Sequence, residues 1–457
     1  MGKNNRMRRR IKQRDRARQS NIGRRRHQPV GEDRDQTLPP FNLWDTIELI
    51  DALAIPGSAD PRLSVHGVAI LSTFDPALVA KAAQVCLLRR VPAAWNNGWQ
   101  PAELHRQLRR ATNGTGAKLA LGLIANDHHG QDTTSLDPRW VAQLNGLGLP
   151  VRVDPDWLIH WAEGAPTDAA AMVTLLIELV HAVASLGPIA VLIPPPGSAP
   201  TPTATADLGT PLDDSMLERV RALLAKAEST TFEAEAEAFT AKAQELMARY
   251  SIDAAMLSAR TTNSDQPVTI RIPIDDPYAD AKSLLCQEVA LHSRARSVWH
   301  QGYAFSSVVG FAPDLAATEI LFTSLLVQAQ TAMQSAAVKS SAGGRARSRS
   351  FRSAFLVAYA NRVGERLAEI NDHVTTEAQA EIGTALVPVL AARGAAVDDA
   401  VRAEFGALIT KPVRGGRDPA GWASGRIAAD LAKLNLGDLR GQPPTRSPNS
   451  LPGPGQP

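Results

Sequence analysis

Several residue types that mark whole classes of protein are scarce in this chain. Only two cysteines, Cys86 and Cys286, occur among its 457 residues, which excludes a disulfide framework and a cysteine-rich zinc module and fits a reducing cytoplasm. No apolar run approaches the roughly 20 residues of a membrane-spanning helix. The charged first residues are not followed by the hydrophobic core of a secretory signal. We therefore expect a cytoplasmic protein that does not bind membranes.

The sequence also lacks the short motifs that carry common catalytic and cofactor chemistry. It has no G-x-x-x-x-G-K-[ST] loop for phosphates, no H-E-x-x-H zinc helix and no G-x-S-x-G nucleophile elbow. The run Gly114-Thr115-Gly116 lacks the third glycine and the preceding strand of a dinucleotide-binding fingerprint. These absences lead us to expect no cofactor, and they favour a protein that is not an enzyme.

What the sequence does contain is a well-marked helical hairpin in the middle of the chain. Ser215 with Glu218, and Thr230 with Glu233, form two capping boxes whose side chains satisfy the first amide groups of a helix. Apolar residues follow each box at steps of three and four, the spacing of one helix face. In the second helix this face holds Ala236, Phe239, Ala243, Leu246, Met247 and Tyr250. We also expect Asp253 to cap a third, short helical turn.

The residues of this hairpin resemble a known bacterial family. The resemblance rests on the run from Leu217 through Lys226-Ala227-Glu228, on Glu235-Ala236, on Lys242-Ala243-Gln244-Glu245-Leu246-Met247 and on Tyr250-Ser251-Ile252-Asp253. These residues are similar to the small helical domain of unknown function 2786, which occurs in bacteria, notably actinobacteria, and in their phages. The resemblance covers about a tenth of the chain. It implies no activity, but it implies that an uncharacterised companion domain follows, and residues from about Asp276 to Leu436 resemble that companion.

The charge of the chain is distributed unevenly. The formal net charge is +3, but Met1–Arg34 holds thirteen Lys and Arg residues against three acidic ones and so carries +10, which leaves −7 for the remainder. A block of like charge at this density is expected to be disordered. Its arginines could bind nucleic acid by releasing counterions from phosphates, and they include Arg8, Arg9, Arg10, Arg24, Arg25 and Arg26. The segment has no aromatic residue for base stacking, so sequence-specific binding is not expected, and a solubilising tail is the alternative.

Periodicity and turn residues predict a mainly α chain with a small α+β C-terminal domain, a helical hairpin module in the middle and disordered termini. The predicted domains are a disordered Arg-rich tail (1–37), a mainly helical N-terminal domain (38–193), a Pro-rich linker (194–212), the hairpin domain (213–258), the α+β companion domain (268–436) and a disordered tail (437–457). A strand at Thr269–Pro273 and two strands joined by a turn at Gly302 predict the sheet.

Some details of individual helices can also be predicted. Near the start of the N-terminal domain, one helix should bury a single face that holds Trp44, Ile47, Ile50 and Leu53. Further along the chain, Trp95 and Trp99 should belong to the core. In the C-terminal domain we expect separate helices at Ala385–Ala392 and Val397–Phe405. In a last helix, Gly421 and Gly425 should allow a close approach to a neighbour.

Two groups of polar residues invite a metal-binding interpretation. His128 and His129 lie between Asp127 and Asp132, but adjacent histidines point in different directions, and we interpret this run as a solvated loop. Glu288 and His292 are one helical turn apart, and His300 follows at the first strand of the hairpin. These three are weak candidates for a metal site, and an exposed helix pair is the preferred interpretation of Glu288 and His292. Cys286, flanked by apolar residues, is expected to be a core thiol.

A second arginine cluster occurs far from the N-terminal segment. Arg345, Arg347, Arg349 and Arg352 stand at or just before a predicted helix start, where Ser348 and Ser350 could act as caps. A helix N-terminus beside guanidinium groups is suited to bind an anion. The alternative is a flexible loop whose charges face water.

These observations favour a nucleic-acid-associated accessory protein that has no catalytic activity. In that interpretation the two arginine segments contact phosphates of DNA or RNA, and the helical hairpin contacts a protein. One alternative is a hydrolase with a site in the C-terminal domain around Glu288, His292 and His300. Another is an interaction scaffold whose alanine-lined face, Ala236–Met247, docks a partner helix.

Overall fold

The computed structural model describes residues 42–55, 61–150, 152–164, 168–198, 218–220, 222–223, 226, 233–260, 266–339, 348–410, 412–413 and 416–432. These residues are mostly helical, with one small antiparallel sheet in the C-terminal half, which confirms the predicted fold class. They form two compact units, one within 1–86 and 156–181 and the other within 87–155 and 182–457. The domain boundaries given above stay a prediction, and the two predicted disordered tails lie outside the described residues.

The helices are α1 (Leu43–Ala54), α2 (Pro61–Leu71), α3 (Pro76–Asn96), α4 (Pro101–Ala111), α5 (Gly114–Asp127), α6 (Pro138–Gly146), α7 (Trp157–Gly164), α8 (Ala169–Ala184), α9 (Glu233–Arg260), α10 (Ala279–His292), α11 (Ala312–Lys339), α12 (Arg349–Ile382), α13 (Leu386–Phe405) and α14 (Pro419–Asp430). The strands are β1 (Val268–Pro273), β2 (Arg296–His300) and β3 (Phe305–Gly310). Among the described helices, none combines the length and the apolar character that a bilayer crossing requires.

The helices α1 and α3 of the first part of the chain show clear start signals and a buried face. Asp75 accepts a hydrogen bond from the Ala77 amide at 3.2 Å, so that aspartate and the following proline begin α3 as a helix cap should. The buried face of α1 holds Thr46, Ile47, Ile50 and Ala54. The prediction that Trp44 shares this face is wrong, because Trp44 lies in the first turn and is 70 % exposed.

The described part of the hairpin packs within the second unit. Residues 218–220, 222–223 and 226 are helical, and Val220 packs against Met247 of the second helix, α9. The prediction of a separate short turn capped by Asp253 is wrong, since α9 continues to Arg260. Ile252 and Ala255, on either side of that aspartate, are fully buried, and this packing outweighs the local capping signal. The side chains of Ala236, Phe239 and Ala243 lie outside the described residues.

The sheet has the strand order β1-β3-β2, with both pairs antiparallel. The central strand β3 is buried along its whole length, whereas the flanking strands are mostly half-buried. The turn between β2 and β3 is closed by the Ala304 amide, which donates to the His300 carbonyl at 2.7 Å. The predicted strand and the predicted hairpin are therefore both confirmed.

The core of the second unit forms around α10, which packs against the sheet, α11 and α12. Leu285, Val289, Leu325, Phe355 and Tyr359 are its fully or almost fully buried members. One prediction about a neighbouring helix is wrong. The two helices expected at Ala385–Ala392 and Val397–Phe405 are one continuous helix, α13. A glycine inside a helix costs about 1 kcal/mol, and at Gly394 the burial of Leu386 and Val397 on either side outweighs that cost.

Candidate functional site

The described members of the second arginine cluster lie at the start of α12. Ser348 is the N-cap, since its hydroxyl accepts a hydrogen bond from the Phe351 amide at 3.0 Å, as predicted. Arg349 is exposed and Arg352 is half-buried in the first turn. The remaining predicted nucleic-acid-binding residues lie outside the described residues, namely Arg8, Arg9, Arg10, Arg24, Arg25, Arg26, Arg345 and Arg347.

A second helix, α14, begins beside α12 and runs in the same direction. A Cβ atom on Gly421 would fall 2.5 Å from the Phe351 carbonyl oxygen, and one on Gly425 would overlap the Phe355 carbonyl oxygen. Further along, Asp430 pairs with Arg362 at 2.5 Å. Because the contacts advance in the same order on both helices, α12 and α14 are parallel. The predicted close approach through glycine is therefore confirmed.

The parallel arrangement brings two helix N-termini to one end of the unit. The N-cap of α14 is Asp418, which accepts from the Gly421 amide at 2.9 Å, and the exposed Arg417 precedes it. Within the described part of the chain, no ion pair joins Arg349, Arg352 or Arg417 to a carboxylate. Two helix dipoles and three guanidinium groups thus give this end a positive potential that the carboxylate of Asp418 offsets only in part. We call it the basic end.

The three weak metal candidates do not form one site. Glu288 and His292 are in contact, with 3.8 Å between Oε2 and Nε2. The His300 ring instead contacts the Ser307 hydroxyl at 3.0 Å and stacks near Phe305. Among the residues that the structure describes, no three His, Cys, Asp or Glu side chains are grouped so that they could hold a metal ion.

The preferred interpretation of Glu288 and His292 as an exposed pair is wrong. Both side chains are only about one-fifth exposed, because α12 covers this face of α10 and Gly364 leaves room for the Glu288 carboxylate. Burial raises the pKa of Glu288 and lowers that of His292, whose pKa the nearby Asp372 partly restores.

Cys286, in the same helix, is a core thiol as predicted, and burial raises its pKa to about 12. A thiol with such a pKa carries almost no thiolate at neutral pH and is a poor nucleophile.

A cavity between α9, α10, α11 and α12 contains polar residues that the sequence analysis did not single out. Ser251 of α9 donates a hydrogen bond to Asp314, and Arg294 donates to the Ser251 hydroxyl with 3.1 Å from Nη1 to Oγ. Arg393 lies 4.0 Å from Asp314 and stacks over the Phe311 ring. The cavity is lined by Met247, Ala248, Ser251, His292, Ser293, Arg294, Asp314, Ala317, Leu321, Leu367, Ile370 and Asn371.

Arg294 occupies a backbone position that normally belongs to glycine. It follows the C-cap of α10 with φ of 60°, and its amide donates to the Leu291 carbonyl while the Ala295 amide donates to the Ala290 carbonyl. This pattern is a Schellman motif, in which the left-handed residue is usually glycine. A left-handed non-glycine residue costs about 1–2 kcal/mol. The sequence signal for this site is therefore an arginine where a helix-ending glycine is expected, together with a serine on the buried face of α9.

The predicted solvated loop at Asp127–Asp132 is confirmed for its last four residues, but the prediction is wrong for Asp127 and His128, whose side chains are almost buried. The buried Trp95 indole donates to Asp127 at 2.7 Å, and the buried Trp140 indole donates to His128 Nε2 at 2.9 Å. Burial raises the pKa of Asp127, an effect that the Trp95 hydrogen bond opposes. The following residues His129, Gly130, Gln131 and Asp132 are exposed. Buried tryptophans need acceptors for their N–H groups, and these two side chains supply them.

The comparisons with known proteins agree with the position of the hairpin. A family model described as "Protein of unknown function (DUF2786)" matches residues 215–254. The matched segment includes Met247, Ala248 and Ser251, so three residues of this match line the cavity. Comparison with curated proteins gives no match, and comparison with solved structures gives none. The companion relationship of the C-terminal domain stays a prediction.

Proposed function

We propose that this protein is a nucleic-acid-associated accessory protein that contacts the phosphates of DNA or RNA without reading sequence. The observation that carries the proposal is the basic end, where two parallel helix N-termini meet Arg349, Arg352 and Arg417. The arginines of 345–347 and of the N-terminal segment would extend this contact along a strand. The described thiols of Cys86 and Cys286 are buried and form no disulfide, which supports a reducing compartment.

The chemistry of the basic end suits a backbone contact better than base recognition. Helix N-termini and guanidinium groups bind phosphate oxygens, which carry no sequence information. The described residues of the basic end include no aromatic side chain that is exposed beside the arginines, although Trp422 of α14 is 40 % exposed one turn further on. Affinity should therefore depend steeply on salt and little on sequence.

The experiment is a fluorescence anisotropy titration of the full chain against labelled single-stranded and double-stranded DNA and RNA at several salt concentrations. Each phosphate contact contributes a slope of about 0.9 in log K against log salt for duplex DNA. The triple variant Arg349→Gln, Arg352→Gln, Arg417→Gln should weaken binding and lower that slope by about two to three.

The matched control replaces three arginines whose guanidinium groups already pair with carboxylates, namely Arg139→Gln, Arg402→Gln and Arg426→Gln. It removes the same charge, so non-specific attraction falls equally in both triple variants. The proposal requires a larger loss in the basic-end variant than in the control. Equal losses, or no salt-dependent binding by the full chain at low salt, would overturn it.

A further inference from the structure

Trp422 of α14 has surroundings unlike those of other tryptophans in the same unit. Trp99 and Trp140 are 0 % and 1 % exposed, and their indole N–H groups donate to the Gly187 carbonyl and to His128, each at 2.9 Å. Trp422 is 40 % exposed, and among the described residues its indole makes no hydrogen bond and no contact with another ring. A tryptophan in this state leaves part of its aromatic surface available to a partner.

Trp422 belongs to the first turn of α14, which lies at the basic end. Gly421 packs directly against the backbone of Phe351, and this contact fixes the start of α14 beside the start of α12. Trp422 follows the contact by one residue on α14, and Arg352 follows it by one residue on α12. Arg417 lies just before the cap of α14, and one helical turn is about 5 Å long. The indole and the guanidinium groups therefore lie at the same end of the unit.

The charge along α14 changes at Trp422. Before it stands Arg417, which forms no ion pair with a described residue. One turn after it, Arg426 donates to both carboxylate oxygens of Glu365 at 3.0 Å. This contact, together with Arg362, lowers the pKa of Glu365 to about 2, so the carboxylate is ionised and neutralises Arg426. A polyanion is therefore attracted to the side of Trp422 that faces the basic end.

Two further apolar side chains of α14 are exposed, namely Ile427 at 59 % and Leu431 at 60 %. Both lie towards the C-terminal end of the helix, on either side of the acidic residue Asp430. Trp422 differs from them because it lies beside guanidinium groups that no described carboxylate neutralises. Phosphate groups are the natural partners of such cations. Charge therefore favours a nucleic acid as the partner of Trp422, and a protein contact is the competing outcome of the test.

We infer that the ligand of the basic end is a single strand of DNA or RNA and that Trp422 stacks on one of its unpaired bases. This inference rests on the proposed function and specifies its substrate class. In a duplex each base is covered by its neighbours in the stack, so a tryptophan ring reaches a base face only where the strand is unpaired. Every base has such a face, and the contact is therefore tolerant of sequence. The arginines hold the phosphates on either side of the stacked base.

The test is a fluorescence anisotropy titration of the full chain with one labelled DNA strand, alone and annealed to its complement. Phosphate contacts alone favour the duplex, because it carries more charge per unit length. The stacking contact requires the opposite order, with the single strand bound more tightly than the duplex. Trp422→Ala should lose about five- to hundredfold in affinity for the single strand, the effect of removing one stacked aromatic ring.

Two further results separate stacking from charge. Trp422→Ala should leave the affinity for the duplex and the salt dependence of single-strand binding unchanged, because it removes no cation. Trp422→Tyr keeps an aromatic ring at the same position and should retain most of the affinity for the single strand. A tyrosine variant as weak as the alanine variant would overturn the stacking contact.

The matched control is Trp44→Ala, which removes a 70 % exposed tryptophan from the other unit and should bind as the unmodified chain does. A single strand that binds no more tightly than the duplex, or equally tightly to Trp422→Ala and to the unmodified chain, would overturn this inference. Salt-dependent binding of the duplex would then leave the proposed function intact, whereas no binding of either form would remove both. If Trp422→Ala lowers the mass measured by light scattering and leaves single-strand affinity unchanged, Trp422 serves a protein contact and the inference is wrong.

Discussion

Two buried arginines in the second unit, Arg271 and Arg294, have opposite surroundings. Arg271, on β1, is 4 % exposed, and its guanidinium donates to both Glu103 oxygens at 2.9 and 2.7 Å and to the Gly98 carbonyl at 3.1 Å. It also donates to the Ala190 carbonyl. Arg294 has one hydrogen bond to a described residue and borders a cavity. The two arginines therefore differ less in burial than in the number of described partners that their guanidinium groups have.

The largest effect on stability should come from replacing Arg271, the arginine with several hydrogen-bond partners. Arg271→Met would leave the carboxylate of Glu103 and two carbonyl groups without their donor, and breaking a buried pair costs about 3–5 kcal/mol. Urea unfolding followed by circular dichroism measures the loss. The double variant Arg271→Met, Glu103→Leu leaves no unpaired charge and should recover much of it. The control Arg402→Met breaks an exposed pair with Asp399 and should cost at most about 1 kcal/mol. An equally small loss of stability in Arg271→Met would contradict the structural role of Arg271.

Ser251→Ala should have the next largest effect on stability. The Ser251 hydroxyl is the donor to the buried carboxylate of Asp314, and a hydrogen bond to a charged group contributes about 1.5–3 kcal/mol. Thr376→Ala, at an exposed helical position whose hydroxyl bonds only to its own helix, is the control and should change stability by less than about 0.5 kcal/mol. Equal unfolding free energies for the two variants would show that Ser251 is not part of a stabilising network.

A smaller effect on stability should separate the contribution of the Arg294 backbone conformation from that of its side chain. Arg294→Gly should leave the free energy of unfolding within about 1 kcal/mol of the original, because relief of the left-handed conformation offsets the lost hydrogen bond to Ser251. Arg294→Met keeps the strain and should be less stable than Arg294→Gly by about 1 kcal/mol. The same urea experiment compares the two. If the methionine variant were the more stable, the strain assigned to Arg294 would be absent.

The smallest expected effect is a pH dependence of stability that comes from two histidines, His300 near Arg271 and His292 near Arg294. Burial lowers the pKa of His300, which Arg271 lowers further, and burial lowers the pKa of His292 at the Arg294 cavity. Each folded pKa lies below the ordinary value of 6.5, so the unfolded chain binds the proton more readily. Stability is therefore complete above pH 6.5 and declines as the pH falls below it. Between pH 8 and pH 5, the unfolding midpoint should depend less on pH in His300→Gln than in His292→Gln. An equal pH dependence in the two variants would refute the contribution of Arg271.

Local signals predicted those parts of the fold that local interactions decide. The capping signal located the start of α12 at Ser348, the strand pattern located the hairpin of β2 and β3, and the glycine spacing located the close approach at Gly421 and Gly425. Predictions failed where distant packing decides, as in the continuous helix α13 and in the burial of His128 by Trp140. Arg294 could not be predicted as a site residue, because its importance depends on residues that are distant in sequence. Ser251 is 43 residues from Arg294, and Asp314 is 63 residues from Ser251.

The parallel pairing of α12 and α14 has a consequence for the C-terminal part of the chain. Two neighbouring dipoles that point the same way repel each other, and a negative ligand across their shared positive end would turn that repulsion into attraction. Occupancy by a polyanion and attachment of α14 would then be thermodynamically linked, each favouring the other. Heat or denaturant that detaches α14 should release such a ligand, and the ligand in turn should delay that detachment.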